Sequence, residues 1–178
     1  MTNIDNVIKG KQNQASGRMF EKFLEEACFY YWLAGQACIE KTPEPMVPVK
    51  PYGGRKTGQF IAYYSRQAQP DFKGVLAGGR CIIFDAKHTI NDLIRQSAVS
   101  ESQREMFDKY EYMGAVCCIV VSLAQNDFYR VPWKIWKNMK EEFGHMYMSR
   151  KELEPYRVPM KGMEILFLEG MEVDDLRA

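Results

Sequence analysis

Apolar residues recur at three- and four-residue steps near the start of the chain, at Met19, Phe20, Phe23, Leu24, Ala27 and Tyr31. That stripe belongs to an amphipathic helix. With Ser16 as a fair N-cap and Gly35 as a stop, the spacing predicts a helix over 17–34. Residues 36–40 read as a short strand. The pattern then breaks: four of the eight prolines fall at Pro43, Pro45, Pro48 and Pro51, followed by Gly53 and Gly54. Neither a helix nor a central strand tolerates that density of proline. Residues 43–64 are therefore expected to project as a long loop or arm, and loops of that kind in compact domains usually carry function.

Order returns at Pro70. An extended segment over 71–76, a turn at Ala77-Gly78-Gly79 and a β-rich strand over 80–87 predict a hairpin. Its register decides what faces what. A three-residue loop sets Leu76 against Arg80 and brings Asp71 directly opposite Asp85 on one face. A two-residue loop sets Asp71 against Ala86 and aims the two carboxylates at different faces unless a bulge corrects it. Further on, 100–113 reads as a helix capped by Ser100 and stopped by Gly114, with Met106, Phe107 and Tyr110 as apolar contacts. Residues 115–123 are a continuous apolar, β-branched run, the mark of a strand buried on both faces. Residues 128–131 are its expected hairpin partner. Pro132 suits the first turn of a helix running to Phe143, with Trp133, Ile135, Trp136 and Met139 at core spacing. The pattern shows no internal repeat and no second domain.

Composition narrows the class. The chain has 178 residues, 46% of them hydrophobic, enough to bury a core as a single domain over 1–178. No apolar run approaches the roughly 20 residues of a membrane span. The polar start, 1–14, is expected to be flexible and lacks the order of a secretory signal, so a cytoplasmic protein with no membrane partner is expected. The five cysteines show neither a CxxC nor a zinc spacing and read as reduced thiols. Adjacent Cys117 and Cys118 lie in the apolar run and suit core packing. His88 and His145 are too far apart in sequence to suggest a site by spacing.

The net charge of +1 does not advertise a nucleic-acid partner; its distribution is more informative. Between Pro45 and Pro70 there is no acid. Lys50, Arg55, Lys56 and Arg66 stand there among Tyr52, Phe60, Tyr63 and Tyr64. The stretch from Glu164 to Asp175 is acidic and offsets this arm, so 160–178 is expected to be an acidic tail.

Asp71, Asp85 and Lys87 carry the chemistry. Side chains two apart on a strand share a face, so Asp85 and Lys87 point the same way, and the hairpin brings Asp71 across to them. Two facing carboxylates repel unless something positive lies between, and hard oxygen ligands suit Mg²⁺ or Mn²⁺. An ion held there polarises a phosphate, with Lys87 stabilising charge or positioning a water. A D-x-K triplet at a strand end is also common by chance. Here the run 81–84 is buried up to the point where it becomes charged, and charges leaving a buried strand are costly without partners or work.

At these residues the chain resembles the RecU family of Holliday junction resolvases, which share the PD-(D/E)xK nuclease fold. The matching positions are Tyr63-Tyr64-Ser65-Arg66-Gln67-Ala68, Asp71-Phe72 with Gly74, Ile83-Phe84-Asp85-Ala86-Lys87 with Thr89, and Gln103. The likeness runs from the first helix to the strand ending near Leu123 and is weaker beyond Arg130. The family's usual glutamate of the E-x-K pair is Asp85 here, one methylene shorter.

The resemblance implies an α/β, restriction-endonuclease-like fold, with a mixed central sheet flanked by helices and a projecting proline-rich stalk. It implies Asp71, Asp85 and Gln103 around a Mg²⁺ or Mn²⁺ ion, with Lys87 as the catalytic lysine. Glu21 resembles the acidic residue that related nucleases place on the first helix, although an exposed helix glutamate needs no such role. Gln103 equally suits a capping box in Ser100-Glu101-Ser102-Gln103. In the family the stalk, here 43–64, is thought to enter the open centre of a four-way junction from a homodimer. Arg66, with Lys50, Arg55, Lys56, Tyr64 and Lys73, makes up the expected DNA-binding set. The expected activity is paired symmetric nicking of four-way junctions, a DNA recombination and repair function. The alternatives are a repair or restriction-like endonuclease of the same class and a catalytically silent branched-DNA-binding module.

Overall fold

The structure, a computed structural model, describes residues 3–43, 45–53, 58–64, 69–124 and 127–171, with residues 3–13 and 64 as backbone only. The apolar run becomes β7 (Val116–Leu123), and from Cys117 on every residue of it is buried. It lies in a five-stranded mixed sheet with β1 (Ala37–Lys41), β4 (Phe72–Leu76), β5 (Cys81–Thr89) and β8 (Asp127–Pro132), in the order β1-β4-β5-β7-β8. Only β5 and β7 pair in parallel; the other neighbours are antiparallel. A parallel pair needs a crossover, and here the crossover contains α2 (Glu101–Tyr112).

The sheet separates two cores. On one face Ile82, Phe84, Cys118 and Val120 meet Phe20, Leu24, Ala27 and Tyr31 of the long helix α1 (Asn3–Leu33). On the other, Ile83, Ile119 and Val121 meet Phe107 of α2 together with Trp133 and Trp136. Gly74 lets β1 and β4 approach: a Cβ there would lie 2.1 Å from the Cys38 carbonyl oxygen.

Four expectations change. The first helix starts at Asn3, not near Gly17. An interior glycine costs a helix only about 1 kcal/mol against alanine, and Ser16 is buried within the helix instead of capping it. The helix expected over 132–143 is two, α3 (Trp133–Lys137) and α4 (Met139–Phe143). The side-chain amide of buried Gln96 donates to the carbonyls of Trp136 and Lys137 at 2.8 and 2.9 Å, and those acceptors are lost to a continuing helix. The third concerns 43–64, expected to project as a long loop or arm without helix or central strand, whose described part contains an antiparallel ribbon of β2 (Met46–Pro51) and β3 (Phe60–Tyr64). A two-stranded ribbon has only edges, and Pro48 sits at its register shift, where a missing N–H is tolerated. All of β2 and residues 60–63 are exposed.

The fourth is the expected acidic tail, whose described part, 160–171, is a strap across the α1 face. Ile165, Phe167, Leu168 and Met171 are buried, and Phe167 packs its ring 4.7 Å from Phe84 and 5.2 Å from Tyr31. Arg130 holds the strap by donating to the carbonyls of Phe167 and Gly170. Apolar residues interleaved with Glu164 and Glu169 do the packing. Among the described residues no helix is long and apolar enough to cross a membrane.

Candidate active site

The β4–β5 hairpin sets the site. Leu76 N–H donates to the Arg80 carbonyl at 2.8 Å, and Phe72 pairs with Phe84, which is the three-residue-loop register. Both Gly78 and Gly79 have positive φ, 98° and 96°, a turn conformation glycine adopts freely. Phe72 and Phe84 stack at 4.6 Å on the α1 face. One residue on, Asp71 and Asp85 meet on the opposite face.

Each acid is held by the other's strand. Asp71 N–H donates to Asp85 Oδ1 at 3.1 Å, and Ala86 N–H donates to Asp71 Oδ2 at 2.9 Å. Asp85 is completely buried. Its Oδ2 accepts from Gln103 Nε2 at 2.9 Å and lies 2.5 Å from Lys87 Nζ. These charge-assisted contacts are what let a buried carboxylate stay in place. Burial, and next the negative charge of Asp85, push the Asp71 carboxyl up to about 7. Asp71 therefore keeps its proton to a higher pH than a free carboxyl does.

Gln103 closes the cap foreseen for it and also reaches Asp85. Its Oε1 accepts from Ser100 N–H at 3.0 Å, closing the capping box of α2, while its Nε2 faces Asp85. The cap fixes the amide with nitrogen toward the site, so metal ligation by its oxygen requires the amide to turn and give up Ser100. Glu21 is not brought to the pair: its carboxylate lies 2.8 Å from Lys41 Nζ, on the helix that packs against the other sheet face. Lys73 is exposed and, two residues from Asp71, shares its face. Lys50 is exposed on the ribbon. Arg55, Lys56 and Arg66 lie outside the described residues, as does the side chain of Tyr64. Thr42, which no local pattern singles out, is set beside Asp71 by the pairing of β1 with β4.

The donor set suits a hard divalent cation. Two carboxylates meet and repel, and among the described residues no cluster of three or more His, Cys, Asp or Glu forms a closed cage. Mg²⁺ is commonly held by one or two carboxylates, its other positions going to water and substrate phosphate.

The profile of the family described as Recombination protein U, RecU, matches residues 15–174. The chain belongs to the RecU family. The match continues well past Arg130, where the residues by themselves gave a weaker likeness, and takes in the C-terminal strap. Among curated proteins, the Holliday junction resolvase RecU of Bacillus pumilus is 29% identical over 154 residues, covering 82% of this chain and 74% of that protein. The RecU of Pediococcus pentosaceus is 33% identical over 112 residues, covering 61% of this chain and 55% of that one. The RecU of Streptococcus sanguinis is 37% identical over 91 residues, covering 49% of this chain and 45% of its own. The matched segments thus span about half to three quarters of these relatives' lengths. A solved structure of Hjc from Archaeoglobus fulgidus, a Holliday junction resolvase, covers 79% of this chain and 88% of its own at 12% identity, with a TM-score of 0.46.

Proposed function

We propose that this RecU-family chain is a Mg²⁺- or Mn²⁺-dependent endodeoxyribonuclease of the PD-(D/E)xK class. It resolves four-way DNA junctions in the cytoplasm as a homodimer, one site per subunit, by paired symmetric nicks. The observation that carries the reading is the meeting of Asp71 and Asp85 across one hairpin, with Lys87 Nζ 2.5 Å from Asp85 Oδ2.

Asp71 and Asp85 would hold the ion, which when bound would supply Lewis-acid polarisation of the scissile phosphate and activation of the attacking water. Lys87 stabilises negative charge developing on the phosphate, or orients the attacking water, from a position fixed by Asp85. Gln103 keeps Asp85 oriented through its amide nitrogen, and turns its oxygen to the ion only if the cap opens. Glu21, held in an ion pair with Lys41 on the α1 face, acts on the site at a distance, through water. Lys73, on the same face as Asp71, and Lys50, on the ribbon, contact phosphates. Arg66, Arg55 and Lys56 are assigned the same task on sequence grounds. The exposed rings of Tyr52, Phe60 and Tyr63, joined by Tyr64, stack on bases where duplex arms part. Two-fold symmetry presents equivalent sites to opposed strands, and the paired nicks follow from it.

The test is incubation of the purified protein with a synthetic four-way junction and with linear duplex, in Mg²⁺, Mn²⁺ or EDTA. Symmetric nicks on the junction alone, absent in EDTA, are expected. Equal cutting of both substrates makes it a general nuclease, and tight binding without cutting makes it a silent module.

A further inference from the structure

At Thr42, β1 leaves the sheet and the chain departs toward the ribbon. The pairing of Lys41 with Phe72 continues one step, and Thr42 N–H donates to the Asp71 carbonyl at 2.8 Å. Asp71 in turn faces Asp85. Thr42, Asp71 and Asp85 therefore form one row across β1, β4 and β5, and side chains opposite one another on paired strands share a face.

Thr42 is also oddly provided for. It is 9% exposed, and its Oγ1 is buried without a hydrogen-bond partner, one of three such side-chain atoms among the described residues. A buried hydroxyl left unpaired costs free energy and asks for an explanation. The other two atoms, Nε2 of His88 and Nε1 of Trp136, have no place in this row. His88 points to the α1 face, where its Nδ1 lies 3.1 Å from Ser122 Oγ, and Trp136 sits in the core beneath α3. Cβ atoms of directly opposed residues lie about 4.5–5.5 Å apart, so turning χ1 of Thr42 carries its hydroxyl toward the Asp71 carboxylate. The Ala86 N–H already holds that carboxylate from the β5 side; Thr42 is the matching group on the β1 side.

We infer that Thr42 is a positioning residue of the cation site: when a divalent ion is bound, its hydroxyl donates to the Asp71 carboxylate and fixes the angle at which Asp71 presents its oxygens. Ligating carboxylates are characteristically oriented by such outer hydrogen bonds. The inference rests on the metal-dependent reading above, and the following experiment separates the two.

Mn²⁺ binding is measured by calorimetric titration of the whole chain, and thermal unfolding is followed in EDTA, for the wild type, Thr42→Val, Thr42→Ser and Asp71→Ala. Valine keeps the shape and removes the hydroxyl. It is expected to weaken Mn²⁺ binding by about tenfold, with serine restoring it. In EDTA, Thr42→Val is expected to be at least as stable as the wild type, because an unpaired buried hydroxyl is gone. A structural role moves the two readouts differently, lowering stability in EDTA with no recovery of Mn²⁺ affinity in serine, and that result overturns the inference. Equal Mn²⁺ affinity in Thr42→Val and wild type overturns it while leaving the metal reading intact. Failure of the wild type to bind Mn²⁺, or unchanged binding in Asp71→Ala, removes the metal reading and Thr42's role with it.

Discussion

Strand β5 and the β2–β3 ribbon are built on opposite principles although one residue, Asp71, stands where the return from the ribbon enters the site. Strand β5 is paired on both sides, by β4 and β7, and its Asp85 is fully buried with donors from three directions. The ribbon pairs only with itself, and its described side chains are exposed throughout. Pairing on both sides holds a carboxylate in one position, as the proposed chemistry requires. A self-paired ribbon is marginal alone, and Lys50, Phe60 and Tyr63 are exposed on it. The contrast implies that changes in β5 alter the rate of chemistry, whereas changes in the ribbon alter which DNA is held.

The sharpest way to break that division is Lys87→Ala. Removing a group that acts on transition-state charge is expected to lower kcat on a four-way junction by about 10³-fold, with junction affinity nearly unchanged in a Ca²⁺-containing gel-shift assay. A loss of affinity as large as the loss of rate would mean that β5 also carries recognition.

A smaller effect tests the repulsion at the heart of the site. Asp71 titrates at about 7 in the folded chain, against 3.8 for the free group, because of burial and then the neighbouring Asp85. The folded state thus holds a proton there that the unfolded chain has released. Stability contributed by protonated Asp71 is whole below about pH 4, declines as pH rises toward 7, and is gone above it. Asp71→Asn removes this dependence, since an amide stays neutral and its oxygen still accepts from Ala86. In EDTA at pH 8, the variant is expected to exceed the wild type by roughly 1–3 kcal/mol in urea unfolding, with the gap closing near pH 4. A gap that grows on acidification would place the strain elsewhere.

On the ribbon side, shortening 45–58 is expected to weaken junction binding by about tenfold, roughly 1.4 kcal/mol. The salt dependence should shrink as cations are lost, while thermal stability of the sheet and residual nicking per bound complex stay close to wild type. Unaltered junction preference in this variant would remove the ribbon from recognition.

The same contrast explains what could be read from the residues. Asp71, Asp85 and Lys87 were legible because strand alternation and a glycine turn are local rules, and one three-residue loop decides the facing of both acids. The buried run of β7 and the capping box at Ser100 were legible for the same reason. The ribbon was hidden because proline argues against strands in general, and only a two-stranded element with free edges escapes that argument. The strap at 160–171 was hidden because Phe167 finds its partners, Tyr31 and Phe84, far away in sequence, and no local pattern announces that docking. Thr42 and Lys41 needed the β1–β4 register, a pairing that no local pattern announces.

The smallest effect concerns the joint between the rigid strand and the helix behind it. Gln103 gives its oxygen to Ser100 and its nitrogen to Asp85, so a cap role and a site role are bound up in one amide. Gln103→Glu separates them. A glutamate still accepts from Ser100 and closes the capping box, but it replaces the donor on Asp85 with another negative charge. In EDTA at pH 8 this variant is expected to lose about 1 kcal/mol of stability relative to the wild type. Because the loss arises from repulsion among carboxylates, Mn²⁺ should recover most of it, whereas the loss in Gln103→Ala, which gives up the side-chain half of the capping box, should persist with the ion present. A Gln103→Glu deficit that Mn²⁺ leaves untouched would reduce Gln103 to a helix cap and leave Lys87 and the Asp71 N–H as the donors that hold Asp85.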